Sequence, residues 1–206
     1  MDAMIFVVCG PSGCGKSTLI GRVLARHPDL RFSISHTTRP RRKGERDGRE
    51  YHFVSGAAFG RMIARGLFVE WAVVHGCHYG TSKAEVEAKG KRSDLVLDVD
   101  VQGARSLRAL IKDAVSIFVL PPRYTELRKR LFARGLDDPG AIRARLADAR
   151  REIRHYREFD YIVINDDLAA AAGELEAVIL GQRCRRQARE KAIRPILRGF
   201  RAGKGK

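Results

Sequence analysis

Apolar and polar positions follow two rhythms along this chain. Short unbroken apolar runs, Ile5–Cys9, Phe32–Ser35, Leu95–Val99, Val115–Leu120 and Tyr161–Ile164, read as buried strands. Between them apolar residues recur at helical spacing over Ser17–His27, Gln102–Ile111, Tyr124–Ala133, Ala141–Tyr156 and Leu168–Arg186. Strands alternating with helices predict an α/β fold on a mainly parallel sheet. Pro121-Pro122 closes one strand and leads into a helix, where proline is tolerated.

Two stretches break the rhythm. From Ser35 to about Lys89, short aromatic strand-like pieces (Tyr51–Val54 and Leu67–Val74) surround a helix near Ala57–Arg65. This reads as a small lobe inserted between the first and second α/β units. The segment Arg134–Gly140 is polar, punctuated by glycine and proline, and flanked by arginines. It reads as a mobile flap between two helices.

Composition narrows the class. At 206 residues with 44% apolar content, one domain with small inserted lobes and a substantial core is expected. No run of 18 apolar residues occurs, so no membrane span is expected. The apolar run of the first strand starts at Ile5, so no cleavable signal is expected. Cys9, Cys14, Cys77 and Cys184 lack paired C-x-x-C spacing, so neither a zinc site nor a disulfide framework is expected, and a reducing cytoplasm fits.

Charge is lopsided. The net charge is +16, and Arg183–Lys206 carries ten cations against one glutamate. Such a tail is either a basic arm for nucleic acid or a helix fraying into solvent. Phe200 is its lone aromatic, which offers little to stacked bases, so the solvated tail is favoured.

The most specific chemistry lies at Gly10-Pro11-Ser12-Gly13-Cys14-Gly15-Lys16-Ser17, followed by Thr18. It fits the phosphate-binding pattern G-x-x-x-x-G-K-[ST], between a strand and a helix as that pattern requires. The glycines let backbone N–H groups approach phosphate oxygens, and the helix adds its positive dipole end. Lys16 reaches the β/γ phosphates and Ser17 supplies a hydroxyl to Mg²⁺.

Arg39-Pro40-Arg41-Arg42-Lys43 packs four cations into five positions. Alone it is a solvated loop; beside a nucleotide-phosphate site it reads as a clamp for a second phosphate, because guanidinium forks match phosphate oxygens. Tyr51 and Tyr79 add phenolic donors. Glu70 stands inside the apolar run Leu67–Val74, where an unpaired carboxylate is costly. Its partner is an arginine of the same lobe, or a base with two adjacent donors, which guanine has and adenine lacks. Asp98 and Asp100 end an apolar strand; such acids support Mg²⁺ in nucleotide-binding folds, while Asp100 serves equally as a helix N-cap.

Taken together these motifs resemble the guanylate kinase (GMP kinase) family. Besides the glycine loop, the resemblance rests on Ser33–Arg39, Gly44-Glu45, Asp47–Val54, Glu70-Trp71-Ala72 and Tyr79–Ser82. It continues through Asp98–Gly103, Ile117–Pro122, Arg130-Leu131 with Arg134-Gly135, and Asn165-Asp166-Asp167, in order from Ile5 to about Arg183. It implies a three-layer P-loop core (1–34 and 92–186), a GMP-binding lobe (about 35–91), a lid (about 134–145) and a basic tail (187–206) outside the family pattern. By resemblance Ser35, Glu70 and Thr81 read guanine, while Arg39, Arg42, Tyr51 and Tyr79 hold the GMP phosphate. Arg134 and Arg145 reach the transferring phosphoryl, Asn165 lies near the adenine of ATP, and Asp98 and Asp100 lie near Mg²⁺ and GMP.

Two positions depart from the family pattern: proline stands at Pro40 rather than at Arg41, and Cys77-His78 replaces a common Asn-Tyr. The implied reaction is ATP + GMP ⇌ ADP + GDP, with Mg²⁺ as cofactor and ATP and GMP as the small-molecule partners. The acceptor phosphate is largely ionised at neutral pH, so no strong general base is needed. Three other readings share the core. A GTPase switch lacks support, since no N-K-x-D motif occurs. A non-catalytic guanylate-kinase-like module usually lacks the intact loop seen here. A ribose bisphosphate phosphokinase does not account for Glu70 with Ser35 and Thr81.

Overall fold

The computed structural model describes residues 3–90, 93–133 and 139–202. The chain runs β1 (Ile5–Cys9), α1 (Lys16–Arg26), β2 (Leu30–Phe32), β3 (His36–Thr37), β4 (His52–Phe53), α2 (Gly56–Ala64), β5 (Phe68–Val74) and β6 (Cys77–Ser82). It continues α3 (Lys83–Gly90), β7 (Asp94–Asp98), α4 (Val101–Leu110), β8 (Val115–Leu120), α5 (Tyr124–Ala133) and α6 (Pro139–Glu152). A 3₁₀ turn (Ile153–Glu158), β9 (Tyr161–Ile164), α7 (Leu168–Arg183) and α8 (Arg186–Ala202) complete it.

The core sheet has the order β2-β7-β1-β8-β9, and every pair in it is parallel. Its three central strands, β7, β1 and β8, are apolar on both faces, as the covered middle of such a sheet must be. Phe6 and Val8 face α1 and α7 with Ile117, Val119, Leu19 and Leu175. Val7 and Cys9 face α4 with Leu95, Leu97, Phe118 and Leu107. That alternation makes three layers, as expected. A smaller cluster, Leu127, Leu131, Ile142 and Leu146, joins α5 to α6.

The inserted lobe is built on a second sheet, β4-β3-β6-β5. β5 and β6 form a hairpin whose tip needs left-handed backbone at His75 (φ 49°) and Gly76 (φ 75°). The expected strand Phe32–Ser35 is corrected here. The core strand is Leu30–Phe32, and the chain then crosses over, pairing again only at His36–Thr37 in the lobe. Ser33 N–H still bonds Val96 O at 2.9 Å, so the departure begins one residue past the strand.

The C-terminal expectation also changes. The helix begun at Leu168 stops at Arg183, whose guanidinium turns back to Asp94 (2.7 Å) and Asp29 (2.9 Å). A separate helix, α8, follows for 17 residues where a fraying tail was expected. The flap lies mostly outside the described residues: 134–138, and with them Arg134, are not among them.

Candidate active site

β1 hands the chain to the glycine loop, and α1 takes it up at Lys16. A Cβ at Gly10 (φ 143°) would meet Val119 O at 2.2 Å, and one at Gly15 (φ 100°) would meet Asn165 Nδ2 at 2.2 Å. No side chain caps α1 and no acid sits in its first turn. Its N–H groups and dipole end are therefore left for an anion. Gly10, Ser12, Gly13, Gly15, Lys16 and Ser17 line a cleft of about 960 Å³. Pro11 and Cys14 shape the loop from behind: Cys14 N–H bonds Pro11 O, and Cys14 is fully buried.

Lys16 Nζ donates to Gly10 O at 2.6 Å and lies 3.8 Å from Asp98. Burial works against its charge, but Cys14 and Asp98 act the other way, and its pKa is raised. Burial also pushes the Cys14 thiol up, so at neutral pH Cys14 is uncharged and Asp98 is the partner that counts. Asp98 is itself raised by burial, against the pull of Lys16 and Ser17. Ser17 Oγ donates to Asp98 Oδ2 at 3.3 Å, placing one hydroxyl beside one carboxylate. Among the described residues no group of three or more His, Cys, Asp or Glu could hold a metal. The pair therefore fits an ion that brings most of its ligands with it, as Mg²⁺ does with phosphates and water.

The opposite wall comes from the lobe. Arg39, Arg42, Tyr51 and Tyr79 line the same cleft. Arg39 is held by both oxygens of Glu45 (3.0 and 2.8 Å) and packs over Tyr51 and Phe53. Glu45 also accepts from Arg42 N–H at 2.7 Å, so one carboxylate orders both clamp positions. Burial opposes its ionisation, yet Arg39 and the Arg42 N–H outweigh that and hold its pKa low. Tyr51 is pushed up by burial and stays a phenol donor at neutral pH. Of the two departures, Pro40 O accepts from Arg39 Nη1 at 2.7 Å, and Arg41 turns to solvent. His78 is anchored by Thr38, which it meets through both backbone groups, and its ring packs on Phe59.

Ser35, Glu70 and Thr81 do not line that cleft, but they come together although they lie on three separate segments. Ser35 Oγ and Thr81 Oγ1 are 3.2 Å apart, and Thr81 N–H donates to Glu70 Oε1 at 2.9 Å. All three are buried. A bulge in β5 between Phe68 and Glu70 breaks the register just where Glu70 enters. Burial, with Asp100 adding to it, pushes Glu70 up to about 7, against its bond to Thr81. Asp100 Oδ1 accepts from Gly103 N–H at 2.8 Å, which settles one of its two readings: it caps α4 while also lining the cleft.

The third wall is α6. Arg145 Nη1 reaches Ser12 Oγ at 3.1 Å, so a residue far along the chain touches the glycine loop. Glu152, two turns later, lines the cleft as well. Across the mouth, His75 Nδ1 lies 3.0 Å from Asp148 Oδ2, joining the lobe hairpin to α6. Asn165 Nδ2 donates to Cys14 O at 2.7 Å, and Arg130 donates to Asn165 O at 3.0 Å. With Gly13, Gly15, Thr18 and Leu168 these two residues line a second cavity of about 400 Å³. Glu45, Arg130 and Glu152 carried no expected role. Arg130 gave little signal because its partner is a backbone oxygen remote in sequence, and Glu45 because its partners meet it only through the turn of the loop.

A family model for guanylate kinase matches residues 3–182. The chain belongs to the guanylate kinase family. It is 50% identical to a guanylate kinase of Dechloromonas aromatica over 182 residues, 87% of this chain and 89% of that one. Against a guanylate kinase of Symbiobacterium thermophilum the identity is 48%, covering 88% and 87%. Among solved structures, the guanylate kinase of Anaplasma phagocytophilum superposes with TM-score 0.74 at 31% identity, covering 89% and 88%. The SH3-kinase fragment of tight junction protein 3 shares the fold alone, at TM-score 0.51 and 15% identity.

Proposed function

We propose that this protein transfers the γ-phosphoryl of ATP to GMP, giving ADP and GDP. The observation that carries the reading is the buried Ser35–Thr81–Glu70 cluster, next to the cleft-lining Asp100 through Gly103, in a molecule whose cationic clamp shares one cleft with Lys16. Guanine offers N1–H and its 2-amino group to Glu70; adenine presents an acceptor at N1 and leaves the carboxylate unsatisfied. Arg39, Arg42, Tyr51 and Tyr79 hold the GMP phosphate. ATP lies along the glycine loop, with its base toward the cavity of Asn165 and Thr18.

A GMP phosphate oxygen attacks the γ-phosphorus, and the bond to the ADP oxygen breaks. The acceptor's second pKa is near 6, so no side chain has to take a proton. The obstacle is repulsion between two anions. Lys16, the clamp arginines and Arg145 oppose it from three walls, with Arg134 expected beside Arg145 by the family resemblance. Mg²⁺, carried in by ATP and met by Ser17 and Asp98, would neutralise charge on the phosphates. Cytoplasmic nucleotide pools are the natural setting for this reaction. A coupled assay with ATP and GMP, AMP, dGMP or ribose 1,5-bisphosphate tests the reading. Turnover with guanine nucleotides is expected; phosphorylation of the sugar bisphosphate alone, or of none, would overturn it.

A further inference from the structure

Helix α8 has no place in the chemistry above: it follows the family-matched region and stands clear of the cleft. Ile193, Ile196, Leu197 and Phe200 fall at i, i+3, i+4 and i+7, which puts them on one stripe of the helix. Ile193 is half-buried at the near end, and the core leaves the other three uncovered. Ile196 is 57% exposed, Leu197 51% and Phe200 77%. Lys191, Arg194 and Arg198, at i, i+3 and i+7, share the adjoining face and are also exposed. Arg186 and Arg189 add charge in the first turn, against Glu190 alone.

A fraying solvated helix accounts for the cations but not for four large apolar side chains in register. A nucleic-acid backbone would take the cations, yet it has no use for an aliphatic stripe with one aromatic. An anionic bilayer surface takes both: acyl chains receive the stripe, and headgroups receive the arginines. Seventeen residues give a helix of about 25 Å. No described helix is long and apolar enough to cross a membrane, so this one would lie in the interface.

We propose that α8 is a reversible membrane-surface anchor that docks the enzyme on anionic lipid through Ile193, Ile196, Leu197 and Phe200, with Arg194 and Arg198 on the headgroups. The proposal stands independently of the kinase reading.

The full chain is mixed with vesicles of phosphatidylcholine alone, or containing about 30% phosphatidylglycerol, and bound protein is read by flotation. Binding is expected to the anionic vesicles and roughly tenfold weaker or absent on the neutral ones, and to fall severalfold at about 0.5 M salt. The double variant Ile196→Asp/Leu197→Asp and, separately, Arg194→Glu/Arg198→Glu should each lose it by about tenfold, while an unchanged melting temperature shows that the core is folded. Three results overturn the proposal: no vesicle binding by the parent; binding that survives both double variants; or no lipid binding together with stripe-dependent dimerisation in sedimentation or charge-dependent RNA binding.

Discussion

Thr81 N–H donates to Glu70 Oε1 at 2.9 Å, and this bond seats a buried carboxyl group in the lobe beside Gly103 of α4. Because burial raises Glu70 from 4.5 to about 7, the folded protein favours the neutral acid. The stability it contributes is present below the unfolded pKa and is lost as pH rises from about 4.5 through 7. Glu70→Gln should therefore leave stability nearly unchanged at pH 4.5 and raise it by about 2–3 kcal/mol at pH 8 in the absence of nucleotide. With guanine read by the Glu70 carboxylate as proposed, GMP binding should weaken as pH falls below 7 and release a proton near pH 6.5. Calorimetry in buffers of differing ionisation enthalpy reads that proton. A GMP affinity independent of pH, or equal in Glu70→Gln, would refute the assignment.

Lys16 is held by Gly10 O and Asp98, and both contacts are exchangeable for phosphate oxygens. Lys16→Ala should lower kcat by at least roughly 10²–10³-fold, as for other preorganised cationic donors. The melting temperature should move by only a few degrees, since the strand and helix around it keep their packing. Near-normal turnover in a well-folded variant would remove Lys16 from the chemistry.

Glu45 orders Arg39 and the Arg42 backbone together. Replacing it by Ala should raise KM for GMP about tenfold, the size of one or two charge-assisted hydrogen bonds, while kcat changes less. A double-mutant cycle with Arg39→Ala should show coupling, because the two changes remove one interaction. Additive losses would mean that Glu45 acts elsewhere.

Gly103 sits on α4 where an added Cβ would lie 2.6 Å from Glu70 Oε2 and 3.2 Å from Asp100 Oδ1. An ordinary helical Gly→Ala change gains about 1 kcal/mol. Here the methyl group displaces the carboxylate meant for the base, so Gly103→Ala should raise KM for GMP about tenfold with little gain in melting temperature. Stabilisation with unchanged KM would show that Glu70 is free to move aside.

Much of this was legible in the chain. Ile5–Cys9 and Val115–Leu120 are strands with the bounds their apolar runs suggest, because a doubly covered strand writes its burial into nearly every residue; Tyr161–Ile164 matches its run too, though at the sheet edge only Val163 is buried. β6 escaped notice: Cys-His-Tyr-Gly-Thr-Ser neither alternates nor runs apolar, and it is a strand only because β3 and β5 flank it. The role of Glu45 was hidden for a similar reason. Its partners are a side chain and a backbone N–H brought near by the turn of the loop.

The sequence by itself determined the glycine turn between strand and helix, the three-layer core and the residue types of the clamp, since these follow from local spacing and conformational preference. Only the tertiary structure decided which distant groups meet: Ser35 with Thr81, Arg145 with Ser12, Asn165 with Cys14, and a C-terminal helix whose apolar stripe the core leaves mostly bare. Periodicity reports which side of an element is apolar. Which partner covers that side, or whether any does, depends on how strands pair and helices pack across the whole chain.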